Sequence, residues 1–448
     1  MKKLFFLIIC IAISTYSFGQ NLERKGELGA RIAATEDNNG ILIQDISPNS
    51  TASILTIENG DILLSVDGET TNDVQALEAK TSTWRAGQAI EVKVRRGETE
   101  ILLKGLVQGK PLEESKFGIV KYGAVEYDQG KLRSILHLPK GVENPPVIFF
   151  LQGFSCSSID FYYSDTEPIK RLVNGWMENG FAVFRVEKPG IGDCQGLPNC
   201  EDIGFHYEVA AFKKALKDLK KIPEIDPENI FLFGHSLGGV TAPLIAAEVP
   251  VRGIINYGSV ATTWYEYLLK VLRKQEVISG TDYVTVEENV RTRGPLLYDY
   301  LVKKMPPKEL EKNPTYKALM PTGLPQRDGD RMIGRHYSFM QEINETNITT
   351  AFQKANCYVL ALHGECDLNA VDEEWAKTTA ELVNSMYPGK GLWKILSRTE
   401  HGFAIVPSMK AYVSLRDSGR FDDAYMRQNF NPSIITETVG WMKSILKS

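Results

Sequence analysis

Three residues of this chain have the types that acyl transfer at a serine requires: Ser236, Asp367 and His401. Ser236 is the centre of Gly234-His235-Ser236-Leu237-Gly238, a G-x-S-x-G pattern. A serine hydroxyl is a weak nucleophile until a neighbouring base takes its proton. Of the histidines, His137, His206, His235 and His336 fall in a strand, a helix start, the serine turn and a helical insertion, and read as structural. His363 closes a buried strand. His401, in Glu400-His401-Gly402-Phe403, is the histidine that follows a credible acid, so it is assigned as general base. The acid should leave the loop after the strand Cys357 to Leu362; Asp367 is the choice, with Glu365 and Asp372 competing. It would hold the second imidazole nitrogen and favour the imidazolium formed during reaction. Two N–H donors are needed for the oxyanion. The backbone of Leu237 supplies one, and Phe154, in Gln152-Gly153-Phe154-Ser155, supplies the other.

These residues need elements that deliver them to one place. Ile230 to Phe233 reads as a short buried strand, and Val240 to Val249 as an apolar helix. A strand-to-helix turn this tight forces its middle residue into an uncommon conformation, and the flanking glycines avoid Cβ collisions. Val147 to Leu151 and Phe181 to Val186 are continuous apolar runs, expected of strands buried on both faces. Gly118 to Tyr127 and Leu132 to Leu138 read as amphipathic strands, and Gly253 to Tyr257, Cys357 to Leu362 and Trp393 to Leu396 as further strands. Helices are predicted over Ile169 to Asn179, Glu201 to Lys221 and Pro432 to Leu446. Such alternation predicts an α/β domain over 112–448, with a mostly parallel sheet covered on both faces. About ninety residues, 262–352, interrupt it; they read as helical pieces broken at Gly294-Pro295, Pro306-Pro307 and Pro314. They are predicted to form a lid over the C-terminal edge of the sheet, where such sheets bind ligands.

The region 112–448 resembles the α/β-hydrolase superfamily, near its serine aminopeptidase-like and dienelactone-hydrolase-like branches. The resemblance rests on Gly234-His235-Ser236-Leu237-Gly238-Gly239, Lys188-Pro189-Gly190-Ile191-Gly192-Asp193, His363-Gly364 with Asp367, and His401-Gly402-Phe403. Gln152-Gly153-Phe154 stands where His-Gly is more usual. Serine at 236 argues against dehalogenase or epoxide-hydrolase chemistry.

Ahead of this region, 25–108 predicts a small strand-rich domain, with strands bounded by turn residues. It resembles a bacterial-type PDZ domain of periplasmic heat-shock proteases. The resemblance is carried by Lys25-Gly26-Glu27-Leu28-Gly29, Ser47-Pro48-Asn49-Ser50, Gly60-Asp61-Ile62-Leu63, Val66-Asp67-Gly68 and Arg95-Arg96-Gly97. It implies that Leu28, Gly29, Ala30 and Arg31 offer backbone N–H groups to a chain-terminal carboxylate, with the peptide added beside Ala30 to Ile32. Residues 105–115, rich in glycine, proline and charge, are expected to be the boundary.

The first twenty residues read as a cleaved secretory signal: Lys2 and Lys3, then an apolar stretch from Leu4 to Ile13, then small and polar residues. Cys10 lies inside that stretch and does not read as a lipidation site. The mature chain is therefore expected to be secreted or periplasmic, with no membrane span. Its formal net charge of −5 falls further once Lys2 and Lys3 are gone, and it carries no basic block, which disfavours nucleic acid and anionic membranes. Cys156, Cys194, Cys200, Cys357 and Cys366 remain, an odd number. Cys156 and Cys200 sit on loops expected to meet above the sheet and to form a disulfide. Cys357 and Cys366 lie too far apart to join. No Cys/His spacing suggests a metal, and the chemistry needs no cofactor.

The expectation is a serine hydrolase that cleaves carboxylic esters through an acyl-enzyme. Two alternatives stay open: a serine peptidase or aminopeptidase served by the PDZ-like domain, and a non-catalytic PDZ-containing binding protein.

Overall fold

The computed structural model describes residues 22–447, so the leader-like segment 1–20 lies outside the described residues. The centre is an eight-stranded sheet, ordered Gly391–Leu396, Tyr358–Gly364, Gly253–Tyr257, Ile230–His235, Val147–Leu151, Ala182–Val186, Gly130–Pro139 and Gly118–Tyr127. The first six run parallel; the last two form an antiparallel hairpin at one edge. The apolar runs explain the interior of this sheet. Successive side chains of a strand point to opposite faces. Accordingly Val147, Phe149, Leu151, Ile230 and Leu232 enter one hydrophobic core, while Ile148, Phe150, Phe231 and Phe233 enter another. Helices Pro168–Glu178 and Ser433–Leu446 cover the second face, where Trp176 donates its indole N–H to Thr438 Oγ1 at 2.9 Å. Phe205–Leu219, Gly238–Ala246 and Glu374–Met386 cover the first. This order and layering is that of an α/β-hydrolase.

Some expected elements differ in extent. The long helix predicted from Glu201 starts at Phe205, because Cys200–Asp202 forms a separate 3-10 turn and Gly204 caps the helix. The insertion holds helices Trp264–Ile278, Tyr283–Leu301, Tyr337–Glu345 and Ile348–Ala355, with two shorter ones between. The predicted break at Gly294-Pro295 is absent, since Tyr283–Leu301 runs through it. A proline inside a helix costs about 3 kcal/mol. The fully buried Leu296, Leu297, Tyr300 and Leu301 that follow each contribute roughly 1.5–3 kcal/mol, which outweighs that cost. Pro307 and Pro314 begin helices, where a missing N–H is harmless. A three-stranded ribbon, Arg327–Asp328, Arg331–Met332 and Arg335–His336, also lies in the insertion.

The N-terminal part forms its own sheet, ordered Arg31–Ala34, Ile41–Gln44, Ile62–Val66, Ala89–Arg96 and Thr99–Leu106, around a separate core of Ile41, Ile43, Leu63, Leu77, Trp84, Val92 and Val94. It is fastened to the large sheet by ions. Arg24 Nη1 lies 2.6 Å from Asp160 and 2.7 Å from Asp193, and Arg133 pairs with the same Asp193 at 2.9 Å. Residues 105–115 are likewise anchored rather than free. Glu113 is buried and accepts from Lys170 Nζ at 2.5 Å and Arg185 Nη2 at 2.8 Å, with His137 Nε2 3.2 Å away. Burial opposes ionisation there, but Arg185, His137 and Lys170 hold the carboxyl far below the usual range.

Candidate active site

Ser236 sits at φ +55°, in the left-handed region. The two glycines two residues away on either side make that possible. A Cβ on Gly234 would come within 2.5 Å of the Gly238 backbone, and one on Gly238 within 2.1 Å of Leu151 O. The turn lifts Ser236 to the wall of a cavity of about 990 Å³, which Gln152, Gly153, Phe154, Leu237 and His401 also line. Trp264, Tyr267, Leu268, Val271, Leu272 and Met340 of the insertion form much of the remaining wall.

His401 Nδ1 and Asp367 Oδ2 are 2.7 Å apart, so Nε2 is the ring nitrogen left for the serine. Asp367 is buried, and its Oδ1 accepts from the N–H groups of Asn369 and Ala370, both at 2.8 Å. Desolvation would raise its pKa, yet His401 and these donors bring it below the ordinary value. For His401 burial lowers the pKa, but the Asp367 charge and hydrogen bond dominate and raise it above the ordinary value. The competing acids face elsewhere. Glu365 accepts from Ser397 Oγ at 2.9 Å and Arg398 N at 2.7 Å, and Asp372 pairs with Lys270 and with Lys274 at 2.9 Å. Among the described residues no hydrogen bond joins the Ser236 hydroxyl to His401; unliganded sites commonly tighten only when substrate arrives.

The two N–H groups expected to receive an oxyanion lie beside Ser236. A Cβ on Gly153 would lie 3.0 Å from the Ser236 Cβ, so this loop passes directly over the serine. Among the described residues neither the Leu237 N–H nor the Phe154 N–H has an acceptor within the protein. The amide of Gln152 is buried in the same wall, and its Nε2 has no partner among the described residues.

Supporting residues escaped the sequence reading. His235 Nε2 lies 2.9 Å from His401 O, beneath the imidazole, and burial pushes its pKa down to about 3, so it stays neutral. Glu400 accepts from Gly402 N and Ala404 N, each at 2.7 Å, and fixes the loop that carries His401. Gly258, at φ +59°, faces the acid–base pair; a Cβ there would fall 2.7 Å from Asp367 Oδ2. These are contacts between distant segments, and no local spacing announces them.

The Cys156–Cys200 disulfide is present, and Cys194, Cys357 and Cys366 are buried free thiols. At the N-terminal sheet, Leu28, Gly29, Ala30 and Ile32 line a groove of about 410 Å³ with Leu77 and Thr81, beside the free edge of Arg31–Ala34. Arg31 turns to solvent and pairs with Asp45 at 2.7 Å. Ser158 and Gly192, on loops that follow strands of the larger sheet, also line this groove.

Fold and site define the class, an α/β-hydrolase behind a PDZ domain. A PDZ-domain model matches residues 20–95. The chain belongs to the X-Pro dipeptidyl-peptidase (S15) family, whose model matches residues 128–402, more than half of its length. It is 28% identical over 138 residues to thiohydrolase aneE of Aspergillus aculeatus, covering 30% of this chain and only 38% of that relative. Among solved structures it is similar to Est1E from Butyrivibrio proteoclasticus, at 16% identity and a TM-score of 0.42, over 73% of this chain and 99% of that one. It is also similar to a carboxyl esterase from Bacillus coagulans, at 14% identity and a TM-score of 0.43, over 73% and 98%.

Proposed function

We propose that this chain is a secreted or periplasmic serine hydrolase that cleaves carboxylic esters. Ser236 Oγ attacks the carbonyl carbon and its proton passes to His401 Nε2, while Asp367 steadies the imidazolium. The N–H groups of Leu237 and Phe154 receive the negative oxygen. Collapse expels the alcohol with the proton from His401, and water repeats the sequence to free the acid. The observation that carries this reading is the Asp367–His401 pair at 2.7 Å on the cavity that Ser236 lines. The apolar wall of Trp264, Leu268, Val271 and Leu272 suits an apolar acyl group. The disulfide supports placement in an oxidising compartment, and no helix among the described residues is long and apolar enough to cross a membrane. The division at about 108–112 and a lid over 262–352 are part of the same proposal, as is a peptide carboxylate held at Leu28 to Arg31.

The family description favours a second reading, peptide cleavage, with the PDZ groove collecting chain ends. Rates on a short-chain p-nitrophenyl ester and on aminoacyl- and X-Pro-nitroanilides separate the two. A fluorophosphonate probe is expected to label the wild type and leave Ser236→Ala unlabelled. Equal labelling of both would move the nucleophile away from Ser236, and no labelling of either would leave a non-catalytic binding protein as the better account.

A further inference from the structure

Behind the loop that passes over Ser236 lies a buried positive charge that the triad does not require. Lys188 is fully buried, and its ammonium lies 2.6 Å from Gly153 O, 3.4 Å from Phe154 O and 3.0 Å from Glu208 Oε1. Arg335, from the ribbon in the insertion, is also buried. It donates through Nη1 to Phe154 O at 2.9 Å and through Nη2 to Glu208 Oε2 at 2.8 Å, with its guanidinium 3.7 Å from the centre of the Phe339 ring. Two cations therefore share one carboxylate. Removing charge from water is costly unless it is matched, and here the excess positive charge rests on two carbonyl oxygens of the oxyanion loop.

The Gly153 carbonyl and the Phe154 N–H belong to a single planar trans amide, whose C=O and N–H point in opposite directions. A cation on the oxygen draws electron density through the amide and strengthens the N–H as a donor, as in any polarised hydrogen-bond chain. It also fixes the direction of that N–H, away from the lysine. Fixed dipoles aimed where charge develops need no reorganisation during reaction.

Building on the serine-hydrolase reading, we infer that Lys188 is a positioning residue: its ammonium polarises and orients the Gly153–Phe154 amide so that the Phe154 N–H receives the oxyanion. When the Ser236 Oγ–carbon bond forms, the carbonyl π pair moves onto oxygen and the serine proton moves to His401. The substrate is then negative for the first time, opposite a pre-existing positive charge. Lys188 is faced by Glu208 from helix Phe205–Leu219, by Arg335 from the ribbon and by the two loop carbonyls. Burial, with Arg335, brings its pKa down to about 8 against the opposing pull of Glu208. The charge is thus present below about pH 8 and lost above it, so oxyanion support fades on the alkaline side.

The test is steady-state hydrolysis of a p-nitrophenyl ester from pH 5 to 10, with blanks subtracted, by the full chain and its Lys188→Met, Glu208→Gln and Ser236→Ala variants. Lys188→Met is expected to lose about 10-fold in kcat at pH 7, less than the ~10²–10³ of a deleted donor. Its KM should stay within about two-fold and its alkaline limb should vanish. Glu208→Gln removes the group that holds the lysine pKa up, so the limb should move to lower pH. The inference is overturned if Lys188→Met keeps the wild-type kcat and limb, or if Glu208→Gln leaves the limb in place. Should Lys188→Met fail to fold by circular dichroism, the Glu208→Gln shift decides. Should both fail, a wild-type kcat that stays level to pH 9.5 overturns it, and a limb near pH 8 upholds it. Hydrolysis that survives in Ser236→Ala sinks the serine-hydrolase reading itself, an outcome distinct from all of these.

Discussion

At the scale of single residues, the proposed triad separates three nearby acids by what each already touches. Asp367 holds His401, whereas Glu365 is spent on Ser397 and Arg398, and Asp372 on two lysines. Asp367→Asn should therefore cut kcat by about 10⁴ with the fold intact, as expected when the imidazole loses its orienting carboxylate. Glu365→Gln should stay near wild type; the reverse ranking in an ester assay would reassign the acid. The base must be neutral to act, and Asp367 raises the His401 pKa. Activity should thus rise with pH along a limb centred above about 6.5, the unperturbed value, and Asp367→Asn should move that limb to lower pH. A pH profile of kcat/KM reads both positions. Ser236 stood out as a candidate because a tight turn between glycines is a local fact, and His401 because it follows an acid in the chain. Gly258, Lys188 and Arg335 were not, since each acts through a neighbour more than 30 residues away in sequence.

At the scale of elements, the interior strands Val147–Leu151 and Ala182–Val186 were legible because short continuous apolar runs suit strands buried on both faces. The ribbon 327–336 was not, as two-residue strands carry no period to read. Glycine and proline misled at 294–295, where burial on both sides of the pair overrides the local breaker. The disulfide joins the loop at Cys156 to the 3-10 turn that begins at Cys200, a separation of 44 residues. Closing a loop of that length restricts the unfolded chain by about 4 kcal/mol in the chain-entropy model. Cys156→Ser should lower the urea midpoint accordingly. It should also raise KM, because Ser155, Ser157 and Ser158, on the segment that the bridge tethers, line the cavity that Ser236 and His401 border. An unchanged midpoint and KM would show that packing alone holds this segment.

At the scale of the whole molecule, sequence composition marked two units but not how they are joined. Glycine, proline and charge at 105–115 read as a spacer, and composition cannot say that Glu113 finds Lys170 and Arg185, which lie 57 and 72 residues further along the chain. The same blindness hid Arg24, whose two aspartates lie on loops beside the other sheet. One practical consequence concerns dissection of the protein. A C-terminal fragment whose first residue is Ser115 would leave Lys170 and Arg185 in the interior without their counter-ion, a loss of about 3–5 kcal/mol for a broken buried pair. A fragment that starts at Lys110 keeps it. The longer piece is expected to melt several degrees higher in a thermal scan, and equal melting would mean that water replaces Glu113. The scissors belong upstream of the glutamate, five residues that decide whether the larger part of this protein can be handled alone.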